Sequence, residues 1–370
     1  MTATADRGVR SGPARRRAPR PGGIRSGEAT AGWVFVLPVV VILGVFLFLP
    51  VLMALWVSFS DWSGRGSPLS PSVSFVGLDN YAEITTGGGL RTRDFGTALR
   101  NNAWYVLLVV PLQTALSLCL ALLVSRRIMR ARGFFRTAFY FPSVTSSVAI
   151  TVLWLFLFSY AGPVNALIAA VGGEGPNWFN DPRGILHVFL GLFGVEGTPA
   201  ALSGTALGIT WWEWLAGPSV ALTALIFMAV FTTSGTFMLL FLAALQNVGY
   251  ELTEAGMMDG ANSWQRFWYI TLPQLRPTMF TVITLGLIGC WQVFDQIYTG
   301  TKGGPSKTTV TPAYLSFTSA FQNQDWGVGA AIAFILFLII IAFTILQRWV
   351  LRDKPVSQRR IRAYTVGRKS

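Results

Sequence analysis

Histidine and cysteine are almost missing from this chain of 370 residues, which has one His and two Cys. One imidazole cannot assemble a metal cluster, and Cys119 and Cys290 both fall inside long apolar runs. Neither a zinc site nor a disulfide framework is therefore expected, and His187 reads as an interfacial side chain. Charge is scarce too: Asp, Glu, Lys and Arg make up 12%, against roughly 25% in soluble domains. That excludes an ordinary water-soluble fold. Acidic residues are the scarcer sign, 16 against 29 basic ones. Those between Asp61 and Glu213 have no spacing that pairs carboxylates, which argues against a membrane enzyme such as a glycosyl or lipid transferase. The run Thr299–Thr308 superficially resembles a phosphate-binding loop. Pro305 stands where its second Gly belongs and Lys307 comes one place late. No catalytic set is found, and the chain is expected to hydrolyse no nucleotide and to hold no cofactor or metal of its own.

What the chain has is long apolar runs, with 52% hydrophobic residues. About 20 residues at 1.5 Å span the hydrocarbon core, so uncharged runs of ~18 or more read as membrane helices. Five qualify: Trp33–Ser60, Ala103–Ser125, Ala138–Phe158, Ser219–Leu245 and Val328–Leu346. A sixth, Thr278–Tyr298, has 17 uncharged residues before Asp295, which puts its far end near an interface or a polar cavity. The expected fold is an all-α, polytopic integral membrane protein of six transmembrane helices.

Lys and Arg concentrate in cytoplasmic segments. Of the 29, 7 precede Trp33, 5 lie in Arg126–Arg136, 2 between Tyr250 and Pro277, and 8 from Arg348 onward. Both termini and the Tyr250–Pro277 loop are thus expected in the cytoplasm. The net charge of +13 flanks membrane segments, so membrane lipid, not nucleic acid, is its expected partner. Residues 1–30, rich in Arg, Gly and Pro, read as a disordered basic tail, and 352–370 as a second basic tail. The expected divisions between them are 31–94, the first span with its outer loop, and 95–351, a core with spans two to six. The first apolar run is too long for a signal peptide, and no small-residue cleavage site follows it.

No strand pattern is evident in the outer loop Asp61–Arg100. Between Tyr160 and Pro218, Ile185–Val195 and Ala200–Trp212 are each too short to span, and read as interfacial or re-entrant pieces. Trp178, Trp211, Trp212 and Trp214 suit an interfacial belt.

Polar residues within spans must face protein or water. Thr232-Thr233-Ser234-Gly235-Thr236 lies mid-span in the fourth run, and Gln292 and Asp295 close the fifth beside Trp291 and Tyr298. These hydroxyl, amide and aromatic groups could contact a sugar-sized polar solute. They could equally serve helix packing and local backbone hydrogen bonding, and Asp295 could be an interfacial end residue.

The segment Tyr250–Pro277 carries the strongest signal. Glu251 and Glu254 suit the amino end of a short helix, Asp259-Gly260 is a turn dipeptide, and Ser263 can cap a second helix that Pro273 and Pro277 end. A helix-turn-helix crowned by Ala255, Gly256, Gly260 and Ala261 is shaped to enter a partner's groove.

Glu254-Ala255-Gly256, three residues, Gly260, nine residues, Ile270, one residue, Leu272-Pro273 resembles the signature loop of permease subunits in binding-protein-dependent ABC importers. Further segments, Phe75–Tyr81, Gly133–Pro142, Phe241–Gln246 and Phe294–Tyr298, are similar to the maltose-type carbohydrate family. Gly256 departs from the usual Ala, which is expected to loosen the first loop helix, and Gly184–Trp212 looks like added length. The resemblance implies the type I importer permease fold. It also implies a second, related permease subunit, two cytoplasmic ATPase subunits that bind ATP and Mg, and an extracytoplasmic solute-binding protein that delivers a sugar. By this resemblance Glu251, Glu254, Ala255, Gly256, Asp259, Gly260, Ala261, Ile270, Leu272 and Pro273 form the ATPase-docking loop. The substrate pathway transfers to Thr233, Thr236, Trp291, Gln292 and Asp295. The competing reading is a secondary transporter or channel without ATP, which inverted repeats or ion-coupling carboxylates would mark; no internal repeat is seen.

Overall fold

The computed structural model describes residues 26–125, 131–194 and 197–350, and these are helical almost throughout. Both expected tails lie largely outside the described residues, as does most of the basic loop after Ser125. The chain divides into two compact units, Met1–Ala54 and Leu55–Ser370.

In the first unit, α1 (Ser26–Leu43) runs through a π turn at Gly44–Phe48 into α2 (Leu49–Ser58), which continues past the unit boundary. Its apolar side chains point outward on every face, Phe35 being 84% exposed. A helix apolar all round needs lipid or another chain about it.

The second unit follows with α3 (Asp79–Thr85), α4 (Leu90–Ser125), α5 (Arg132–Val144), α6 (Ser147–Leu157), α7 (Pro163–Ala170) and α8 (Ile185–Gly191). A two-residue hairpin, β1 (Thr205–Ala206) on β2 (Ile209–Thr210), leads to α9 (Trp211–Trp214) and the long α10 (Val220–Gln246). Then come α11 (Tyr250–Met258), α12 (Ser263–Arg266), α13 (Leu272–Gln274), α14 (Arg276–Trp291), α15 (Pro312–Phe317) and α16 (Trp326–Val350).

Among the described residues four helices are long and apolar enough to cross a membrane alone: Ala31–Ser58, α4, α10 and α16. The run expected as one straight span over Ala138–Phe158 is instead an elbow, with α5 and α6 meeting at 100°. Thr145 and Ser146 are extended there, with ψ of 147° and 131°, so no i to i−4 bond crosses the corner. Hydropathy measures apolarity and is blind to direction. α14 has 16 residues, about 24 Å of helix, and ends at Gln292 before reaching Asp295. The six expected spans therefore take the form of four long helices, one elbow and one short helix.

α4 starts at Leu90, well before the apolar run. Its charged first turns are held by ion pairs: Arg91 with Glu83 at 2.8 Å and Asp325 at 2.5 Å, and Asp94 with Lys307 at 2.7 Å. α10 lies mainly along α4 and α5. A core of Tyr105, Val109, Leu222, Leu225, Trp291 and Ile297 fills the middle, and Phe237, Phe241 and Val282 extend it toward the loop after α10.

Between α7 and α10 no described helix approaches membrane length. His187 stacks on Trp212 with ring centroids 4.2 Å apart, and this burial pulls its pKa down. Asp181 accepts hydrogen bonds from the Arg183 guanidinium at 2.7–3.2 Å and from the Arg183 amide, while the Arg183 carbonyl accepts from Val220 at the start of α10. The Arg183 hydrogen bonds hold the Asp181 carboxyl below its usual range. A depressed carboxyl stabilises the fold above its ordinary titration range and loses that contribution as pH falls through the folded value. Arg183 is exposed, so the worth is small: Asp181→Asn should cost about 1 kcal/mol in thermal unfolding at neutral pH. The difference from the parent should vanish in acid.

Candidate functional site

Two places hold the residues singled out from sequence. The first is the loop after α10. α11 ends in a paired closure in which the Gly260 amide donates to the Met257 carbonyl at 3.1 Å and the Ala261 amide to the Gly256 carbonyl at 2.9 Å. Gly260 takes φ +75° to allow it. The next arm is capped by Asn262, one residue before the expected Ser263. Asn262 Oδ1 accepts from the Gln265 amide and Gln265 Oε1 from the Asn262 amide, both at 2.8 Å. The Arg266 guanidinium donates to the Ala261 carbonyl at 2.9 Å and fastens the turn.

Pro273 and Pro277 do not end this arm. It passes through a π stretch at Phe267–Thr271 into α13, turns at Leu275, and Pro277 opens α14, where no amide donor is needed. Gly256, expected to loosen α11, faces the other arm. A Cβ there would come within 2.8 Å of Ile270 Cδ1, so an alanine would need only that terminal methyl to shift. Glu251, Glu254, Ala255, Asp259 and Gly260 are exposed, while Ala261, Ile270, Leu272 and Pro273 are half-buried beneath. Met258 (89% exposed), Trp264 and Tyr269 are the most exposed of several large apolar side chains in this loop, with Leu252, Met257 and Trp268 also outward.

The second place is a cavity of about 300 Å³ inside the elbow, between α5–α6 and α10. Its polar lining is Ser143, Thr145, Ser147 and Thr151 from the elbow, Thr232, Thr233 and Thr236 from α10, and Gln296 beyond α14. Among the described residues no ionisable side chain lines it. Ser143 Oγ donates to the Thr232 carbonyl at 2.8 Å and fastens the elbow to α10. Of the residues expected along a pathway, Thr233 and Thr236 line the cavity. Gln292 and Asp295 are exposed and outside it, and Trp291 is buried against Phe343.

Gln113 was missed, although it is the one amide in its apolar run. It is fully buried, its Oε1 lies 2.6 Å from Thr233 Oγ1, and its Nε2 has no partner. Thr233 Oγ1 also lies 2.7 Å from the Ala229 carbonyl, and one hydroxyl proton serves one acceptor. Turning the amide resolves this: its nitrogen donates to Thr233, whose proton goes to Ala229. Thr233→Val should then strand the amide and cost about 1–3 kcal/mol in thermal unfolding. Adding Gln113→Leu should recover most of that loss.

With this geometry in view, residues 113–354 match the family described as binding-protein-dependent transport system inner membrane component. The chain belongs to that family. Its members are transport components of the membrane, and the apolar helices make this one a multi-pass membrane protein. The permease is 31% identical to a probable ABC transporter permease protein of Pyrococcus horikoshii, over 83% of this chain and 90% of that one. It is 29% identical to the lactose transport system permease protein of Rhizobium radiobacter, over 87% and 94%. The trehalose/maltose transport system permease protein of Thermococcus litoralis is also 29% identical, over 86% and 92%. Among solved structures, a bacterial ABC transporter for import of the acidic polysaccharide alginate superposes with a TM-score of 0.65 at 17% identity. That match covers 88% of this chain and 96% of the other, and it identifies the fold.

Proposed function

We propose that this permease forms one half of the membrane channel of an ATP-driven importer and passes a neutral sugar handed over by an extracytoplasmic binding protein. The loop from Tyr250 to Pro273 is cytoplasmic and seats in an ATPase subunit. Two such subunits bind ATP and Mg, and a second, related permease completes the channel. Closure of the ATPases moves the docked loops as levers, and the helices shift between inward- and outward-open states.

The observation that carries this reading is the loop itself: a doubly capped helix-turn-helix with a glycine apex that presents exposed Met258, Trp264 and Tyr269 to a partner. Relatives named for lactose and for trehalose or maltose support a sugar, and a related structure was solved with an alginate-loaded periplasmic protein. The cavity adds the charge class. Its hydroxyls and amide match a neutral polyol, and it offers no cation to an acidic or phosphorylated one. Both termini are cytoplasmic in this arrangement, consistent with the distribution of Lys and Arg. The test is uptake by the assembled complex in proteoliposomes. Neutral labelled di- and oligosaccharides should accumulate only with ATP on the loop side, and uronic acid oligomers should not. Accumulation by this chain alone without ATP would support the secondary-transporter reading instead.

A further inference from the structure

Where α4 and α10 end beside the loop, a second pocket of about 730 Å³ opens. Its floor is the first turns of α5, with Arg132, Gly133 and Arg136. Leu122, Leu242 and Leu245 form apolar walls, and Thr253 and Thr271 bring both arms of the loop to its rim. Arg132 stands out among the described cations for its buried, unpartnered guanidinium nitrogens. Arg91, Arg93 and Arg183 are each paired with a carboxylate, whereas neither Arg132 nor Arg136 forms an ion pair among the described residues. Arg132 is half-buried, and its Nε and Nη2 are withdrawn from solvent with no hydrogen-bond partner there. Residues 126–130, Arg-Arg-Ile-Met-Arg, contain no carboxylate that could serve them.

A guanidinium withdrawn from water and left unpaired is costly, and an anion in the pocket would satisfy it. The backbone adds to the attraction. α5 begins after Ala131 at φ 63° with no side-chain cap, so its first amides face an anion favourably. A Cβ on Gly133 would have nothing within 4 Å, which leaves room beside those amides. Two arginine forks four residues apart suit a tetrahedral phosphate better than a flat carboxylate. The leucine walls and the volume exceed what free phosphate would fill, and fit a glycerol backbone with the start of its acyl chains.

We propose that this pocket binds the headgroup phosphate of an anionic phospholipid, clamped by Arg132 and Arg136 against the rim of the 250–273 loop. Occupancy braces α5 and the loop together, so the charge of the adjoining leaflet sets how firmly the lever is held. That leaflet is the inner one if the loop is cytoplasmic as proposed above. Lipid retention itself does not depend on that assignment.

The test uses the full complex in nanodiscs of phosphatidylcholine with increasing phosphatidylglycerol. Lipid retained after extraction is counted by native mass spectrometry, and melting is followed in parallel. The parent protein should retain phosphatidylglycerol. Arg132→Gln/Arg136→Gln should retain at least about tenfold less, as expected for losing charge-assisted hydrogen bonds. Should that variant fail to assemble, Gly133→Leu fills the pocket without touching either charge and should give the same loss. Equal retention by parent and Gly133→Leu would overturn the proposal. So would inorganic phosphate in pure phosphatidylcholine that stabilises the complex as well as phosphatidylglycerol does. Normal sugar uptake combined with no retention would remove the lipid site and leave the transport reading intact.

Discussion

Gly260→Glu should reduce ATP-driven uptake about a hundredfold while the permease still folds and reaches the membrane. The apex has open space around it: a Cβ at Gly260 meets nothing within 4 Å. The damage inside this chain is therefore confined to the backbone, where a φ of +75° costs an L-residue about 1–2 kcal/mol. The loop's two caps and the Arg266 bond to Ala261 can absorb that. The larger loss lies in docking. If the crown fills an ATPase groove as proposed, a charged side chain at its centre removes roughly 3 kcal/mol of contact energy, or about a hundredfold in affinity. Co-purification of the ATPase should fall with uptake. Gly260→Asn, which tolerates a left-handed backbone, should separate the two contributions by restoring the turn without adding charge.

The second large effect is structural. Gly235→Leu should leave little assembled permease, because a Cβ at Gly235 would run into the Phe139 carbonyl, Tyr140 Cα and Ser143 Oγ of α5. Two of those are backbone atoms and cannot rotate away. α5 would have to leave α10, breaking the Ser143 to Thr232 bond and the cavity wall together. Overpacking of this kind costs about 1–3 kcal/mol when side chains can adjust, and here the contacts are largely fixed. Gly289→Leu is the matched control: a Cβ there meets nothing within 4 Å, so melting temperature and yield should match the parent.

These two glycines mark what sequence discloses. Gly260 was legible because an Asp-Gly pair between two short helices has a local meaning, and the spaced Glu254, Gly260 and Pro273 carried the resemblance to the family's signature loop. Gly235 read as one small residue among hydroxyls, since its necessity lies in α5, about a hundred residues away in sequence. The spans were legible from apolarity alone, but the elbow at Thr145–Ser146 was not, because no charge interrupts it. The cap at Asn262 was within reach: Gln265 stands three residues on, the spacing of a reciprocal cap, whereas Ser263 has no such partner. Of the five residues singled out for a pathway, Thr233 and Thr236 line the cavity inside the elbow. The elbow's hydroxyls needed the tertiary structure to bring them to one cavity, and Gln113 needed it to reach Thr233 behind the wall.

The most direct measurement places a photo-crosslinking side chain at position 258, where Met258 is 89% exposed, in the assembled importer within its native membrane. The account predicts that light joins this position to the ATPase subunit, and that the yield changes when ATP is bound. Crosslinks only to lipid or to an extracytoplasmic protein would contradict it.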